Sequence, residues 1–156
     1  MPDLPDHLPV RRSPAKGVQI VLDRPNRVFL TVCTDQRDRW LAQASVQQAL
    51  SAIWHDSATA WLVGDYLLMP DHIHLFCAPN DDRFEIERWI AFWKHLLTRR
   101  LPGMGGFQRG GFHHRLRDDE NYEQKWRYVR ENPVRAGLVT NPEDWPFQGC
   151  VHDLSW

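Results

Sequence analysis

Cysteine is scarce and scattered, with Cys33, Cys77 and Cys150 the only three. Their spacing suits neither a disulfide framework nor a CxxC metal site, so they are expected to be small buried apolar residues. No apolar run approaches the roughly 18 residues that a membrane span needs. No apolar segment follows a basic start at the N-terminus, so no signal peptide is expected and the cytoplasm is the expected compartment. An excess of one charge is also missing: the formal net charge is −1. Taken alone, that balance argues against a nucleic-acid partner. Its distribution argues the other way. Residues 88–117 hold no Asp or Glu, although the chain has 20. The same stretch carries Arg88, Lys94, Arg99, Arg100, Arg109, Arg115 and Arg117, with His95, His113 and His114 among them. Acidic residues bracket it at Asp81, Asp82, Glu85 and Glu87, and at Asp118, Asp119 and Glu120. A charge run is most simply a solvated face, but one this long and free of carboxylates is expected to meet phosphates.

What is present describes one globular unit. The 156 residues are 42% hydrophobic and 25% charged, enough for a single independently folding core. Five prolines in residues 1–26 exclude a regular helix or central strand there. That segment is expected to be an arm, with Arg11, Arg12 and Lys16 available to a phosphate backbone, ahead of one domain over residues 27–156. Alternation predicts strands at 27–34, 61–69 and 72–78, the last two joined by a tight Pro70-Asp71 connection. Spacings of three and four predict helices at 44–54 and 84–101. The order is strand, helix, strand, strand, helix. It fits an α+β, ferredoxin-like (RRM-like) antiparallel sheet with helices on one face and the other face available for a site. Glycine-rich residues 102–111 read as a loop. A third helix, opening at the acidic residues 118–120, is expected to stop before Pro133. Residues 136–139 read as a turn or short strand, and Trp145 and Phe147 are expected to cover the core.

Chemistry gathers in two stretches. Around residue 70 the chain reads Leu68-Met69-Pro70-Asp71-His72-Ile73-His74-Leu75. Strand positions i and i+2 share a face, so His72 and His74 project side by side while Ile73 and Leu75 face the other way. Two imidazoles aimed at one point can hold a divalent metal; the plainer alternative is a pair of half-exposed strand histidines. About fifty residues on, Tyr128 and Asn132 lie four apart on one helix face. The set to test is His72, His74 and Asn132 around one ion, with Tyr128 beside it. Two imidazoles and an amide oxygen suit Mg²⁺ or Mn²⁺ better than a closed zinc site. A phenol with pKa about 10 becomes a useful nucleophile once a cation stabilises its ionised form, and a phosphodiester is a fitting target. Tyr122 is the rival nucleophile, and a core-facing helix tyrosine is the plain alternative for Tyr128.

These residues carry a resemblance. The run from Leu68 to Leu75 resembles the His-hydrophobic-His (HUH) signature of single-tyrosine, IS200-like transposases. Tyr128-Val129-Arg130-Glu131-Asn132-Pro133-Val134-Arg135-Ala136-Gly137-Leu138-Val139 resembles the tyrosine segment of one branch, the REP-associated tyrosine transposases. Asp144-Trp145-Pro146-Phe147 is similar to the tail that follows it there, and residues 107–108 and 112–117 match the linking segment loosely. The resemblance implies an HUH endonuclease fold over residues 27–147. It also implies Tyr128 as nucleophile, and His72, His74 and Asn132 as ligands of Mg²⁺ or Mn²⁺. The implied reaction is strand transfer on single-stranded DNA beside imperfect hairpins, through a 5′-phosphotyrosine and a free 3′-OH. A monomer or homodimer acting at the nucleoid, away from membranes, is the implied setting. Other readings use parts of the same residues. A histidine-triad hydrolase would need a third histidine where Phe76 stands. A non-catalytic ferredoxin-like nucleic-acid-binding module, or a domesticated relative that no longer transposes, would use the basic stretch and spare the chemistry.

Overall fold

The computed structural model describes residues 26–117 and 122–154. The N-terminal arm before Asn26 and the acidic helix start at residues 118–120 lie outside them. The described chain forms a five-stranded antiparallel sheet in the order β4-β1-β3-β2-β5. Its elements are β1 (Val28–Cys33), α1 (Ala44–Ala52), β2 (Trp61–Met69), β3 (His72–Pro79), α2 (Ile86–Arg100), β4 (Phe112–Arg115), α3 (Tyr122–Arg130), α4 (Asn132–Arg135) and β5 (Gln148–Cys150). The first four strands have the expected ferredoxin-like arrangement, with β1 and β3 at the centre. Among the described residues, no helix is long and apolar enough to cross a membrane.

Alternation along the central strands sorts their side chains into two layers. Val28, Leu30 and Val32 of β1, and Ile73, Leu75 and Cys77 of β3, face α1 and α2. There they meet Leu50, Trp54, Trp89, Ile90, Trp93 and Leu97 in one buried cluster. Trp54 packs edge-on to both Tyr66 and Trp93. Aromatic pairs of this kind add to the hydrophobic term through ring-edge complementarity. The opposite layer holds Phe29, Leu67, Met69 and Phe76, alternating with His72 and His74. That face was expected to be open. Instead α3 and the chain end cover part of it, through Tyr122, Trp126, Val129, Trp145 and Leu154. Trp145 donates its indole N–H to the Leu68 carbonyl at 3.0 Å, so the tail does cover core, as its aromatics suggested.

Four local details depart from expectation. α1 ends in a wider π turn over Ile53–Ser57. β4 and β5, four and three residues long, are strands that were not expected, β4 directly after the 102–111 loop. The helix expected to run up to Pro133 breaks at Glu131, and Pro133 opens α4, in the first turn where its missing N–H costs nothing. Cys33 and Cys77 are buried as expected, but Cys150 is exposed.

Candidate active site

β3 places His72 and His74 on one face because their neighbours Ile73 and Leu75 are claimed by the helical layer. The imidazole centroids lie 4.8 Å apart, with planes at 78°. Each ring is held through Nδ1. The Asp71 carboxylate accepts from His72 Nδ1 at 2.8 Å, while Thr31 Oγ1 and His74 Nδ1 share a hydrogen bond of 2.9 Å. The Asp71 carboxylate, which can only accept, fixes the Nδ1–H tautomer of His72, whereas the Thr31 hydroxyl can donate to or accept from His74. Phe29 stacks on His74 at 5.3 Å.

The turn between β2 and β3 supplies the anchor for His72. Asp71 also binds Arg37, whose Nε donates to Oδ2 at 3.1 Å. The hydrogen bond from His72 and the Arg37 charge hold the Asp71 carboxyl below its ordinary range. Arg37 arrives on a turn in which Gln36 and Arg37 both take left-handed backbone angles (φ 55° and 57°). For non-glycine residues that conformation is costly, so the turn's ties must hold it. They include Asp35 N–H to Gly106 O at 2.9 Å and Arg37 N–H to Thr34 O at 3.2 Å.

Beside the histidines lies a cleft of about 290 Å³, lined among others by Arg37, Arg39, His72, Asn132 and Arg135. Asn132 is buried, and its Oδ1 accepts from Arg135 at 3.2 Å. Burial, the neighbouring His72, and the charges of Lys125, Arg135 and Arg37 hold the His74 pKa well below its ordinary value. The ring is therefore neutral at pH 7, the form that ligates a metal. Among the described residues, no group of three or more His, Cys, Asp or Glu side chains is assembled to hold an ion. Asn132 is the amide that lines the cleft together with His72. Two oriented imidazoles and a buried amide oxygen are a donor set that could hold Mg²⁺ or Mn²⁺.

The three tyrosines of the chain have distinct surroundings. Tyr66 is buried, with its hydroxyl bonded to Gln47 and Ser51. Tyr122 donates its hydroxyl to Asp65 Oδ2 at 2.7 Å, and its ring lies 4.2 Å from Phe76. Burial and the Asp65 carboxylate push its pKa well above the ordinary phenol value. Gly64 makes that fit close: a Cβ there would stand 2.6 Å from a Leu154 carbon and 3.0 Å from the Tyr122 hydroxyl. Tyr128 is 45% exposed. It is linked to the cleft by Arg135, whose guanidinium lies 4.2 Å from its ring centroid.

The seven cations of the 88–117 stretch do not form one surface beside the histidines. Arg88, Arg99 and Arg100 are exposed on α2, a helix packed on the opposite face of the sheet. Lys94 has another task. Its ammonium donates to the Gln108 and Gly110 carbonyls at 2.8 and 2.6 Å and sits over Phe107, and burial draws its pKa down to about 8. It staples the loop after α2 rather than standing ready for phosphate. Arg109 and Arg117 are exposed, while Arg115 is half-buried opposite Val28. The cations at the cleft are Arg37, Arg39 and Arg135, with Lys125 over Phe29 at 4.6 Å. Reading charge as a continuous run misses them, because each sits singly. Arg37 and Arg39 follow the end of β1, which pairs Cys33 with His72, and that pairing is the signal that would have found them.

No protein-family model matches the chain. A candidate REP-associated tyrosine transposase of Haemophilus influenzae is 33% identical over 103 residues, covering 56% of this chain and 57% of that protein. The REP-associated tyrosine transposase of Escherichia coli K12 is 26% identical over 94 residues, covering 60% and 56%. The chain thus matches little more than half the length of these curated relatives. Among solved structures, a REP-associated tyrosine transposase bound to a REP hairpin superposes with a TM-score of 0.66, at 20% identity, over 88% of each chain. A candidate transposase of Deinococcus radiodurans superposes at 0.50, at 22% identity, over 75% of this chain and 95% of that one. At such identities the two structures establish the fold, α+β of the HUH type. In sequence over part of its length, and in fold over most of it, this chain is similar to the REP-associated tyrosine transposases.

Proposed function

We propose that the protein is a metal-dependent single-tyrosine transposase that cuts and rejoins single-stranded DNA beside hairpins. The observation that carries this reading is a cleft lined by His72, a buried amide and three arginines, with His74 beside His72 and the exposed tyrosine attached through Arg135. The REP hairpin in the structural neighbour supports DNA hairpins as the partner class. Tyr128 Oη attacks the scissile phosphorus and forms an O–P ester, while the bond to the 3′-oxygen breaks. The phenol proton passes to solvent, and the departing oxygen takes one up as a 3′-OH. One ester replaces another, so the reverse attack by a 3′-OH rejoins a strand. His72, His74 and Asn132 would hold the divalent ion, which when bound supplies Lewis-acid polarisation of the phosphodiester. Arg37 and Arg39 would neutralise the charge of the strand in the cleft. Lys125 supports the Phe29 ring that backs His74.

Incubation with single-stranded hairpin DNA and Mn²⁺ tests the reaction class. A denaturation-resistant protein–DNA adduct and a new 3′-OH end are expected. Binding without any adduct or cut would leave a non-catalytic hairpin-binding module.

In this reading the exposed cations of residues 88–117 hold the flanking hairpin. Double replacement Arg99→Ala with Arg100→Ala is expected to weaken hairpin binding and to lower the slope of log affinity against log salt by about two. An unchanged slope would make that end of α2 a solvated face.

A further inference from the structure

Arg135 makes three contacts that no simple surface arginine needs. Its guanidinium covers the Tyr128 ring at 4.2 Å from the centroid. The same side chain donates to the Tyr128 backbone carbonyl at 3.1 Å and to Asn132 Oδ1 at 3.2 Å. One planar cation therefore grips the ring, the backbone and the amide neighbour of the proposed nucleophile. The grip starts from a fixed base. α4 opens at Asn132-Pro133 and closes on Gly137, which takes a left-handed φ of 75°. Gly137 N–H bonds the Val134 carbonyl at 2.9 Å, and Leu138 N–H bonds the Pro133 carbonyl at 2.8 Å. That pair of bonds is the Schellman cap, which leaves the turn carrying Arg135 little freedom. Tyr128, by contrast, projects from the exposed side of α3, where an untethered ring would exchange rotamers within nanoseconds.

We infer that Arg135 is a positioning residue for the nucleophile, locking the Tyr128 ring against the cleft and tying it to Asn132. The inference rests on the reading of Tyr128 as nucleophile. A guanidinium suits the task because it is planar and can stack while its N–H groups donate in its own plane. Lysine keeps the charge but cannot cover the ring and reach two oxygens together.

Three measurements on the full-length protein test this. The first is the single-turnover rate of adduct formation at saturating hairpin DNA with Mn²⁺. Arg135→Ala is expected to lower it about a hundredfold, the usual consequence of an ångström-scale misplacement, and Arg135→Lys to recover little. The second is hairpin affinity without metal, expected to stay within about twofold with an unchanged salt slope. A rate equal to wild type at saturation, with weaker binding and a slope lower by about one, would make Arg135 a phosphate contact and overturn the inference. The third needs neither DNA nor metal. Nitration of Tyr128 by tetranitromethane in the free protein is expected to speed up in Arg135→Ala, since its covering group is gone. Unchanged nitration would also overturn the inference. Absence of any adduct in the wild type would fell the Tyr128 reading itself, whereas a normal wild-type adduct with an unaffected Arg135→Ala would fell only the positioning role.

Discussion

Tyr128→Phe is expected to fold, bind Mn²⁺ and bind hairpin DNA as the wild type does, yet form no adduct and cut nothing. The change deletes one oxygen from a half-exposed ring, so packing and the Arg135 stack survive while the nucleophile is gone. Tyr122→Phe supplies the opposite profile. It removes the 2.7 Å bond to Asp65 and should lower stability by about 1–3 kcal/mol through the partner left unpaired, while adduct formation at saturating DNA persists. Denaturant melts and adduct gels on the same two variants separate the roles. Cleavage that survives Tyr128→Phe, with no covalent species in the wild type, would indicate hydrolysis by a metal-activated water and end the strand-transfer reading.

The second large effect concerns the imidazoles. His72→Ala and His74→Ala remove the ring and put no donor atom in its place. Each is expected to reduce adduct formation to the level of wild type without metal. Mn²⁺ should raise the melting temperature of the wild type, because it binds the folded state, and leave that of either variant unchanged. Metal-free hairpin binding should persist. Each change empties a buried site, and His74 is also stacked on Phe29, so the melting curve also reports whether a silent variant is simply unfolded. A folded variant that keeps both the Mn²⁺ shift and the adduct would remove the histidine pair from the site.

Legibility in the sequence followed length and periodicity. β2 and β3 were readable to within a residue because long alternating runs separate two faces, and α2 because its apolar residues recur at three and four. β4 and β5 were not. They are short edge strands, β4 directly after a glycine pair, and strands of that length exist only through the partners they bond. The break at Glu131 was hidden because proline forbids a helix interior but welcomes a first turn. The proposed donors could be named because i+2 on a strand and i+4 on a helix are local rules. Their surroundings could not. Arg37 and Asp71 meet across a strand pairing, and Lys94 turns inward to a loop that only the fold brings near. A list of basic residues in order along the chain says nothing about which face each one serves.

The alternation that sets His72 and His74 against Ile73 and Leu75 also limits how this chain can change. A one-residue insertion in the turn before β3 would exchange the two faces. Both imidazoles would enter the tryptophan-lined interior, and two aliphatic side chains would take their place on the opposite face. Fold and the proposed chemistry would fail together, so no graded series of shifted registers leads from this arrangement to a new one. The substitutions open to the chain are those outside that strand, at exposed positions such as Arg39 and the loop after α2. Exposed positions can change in small increments, while the histidine pair is inherited whole or lost by replacement in place.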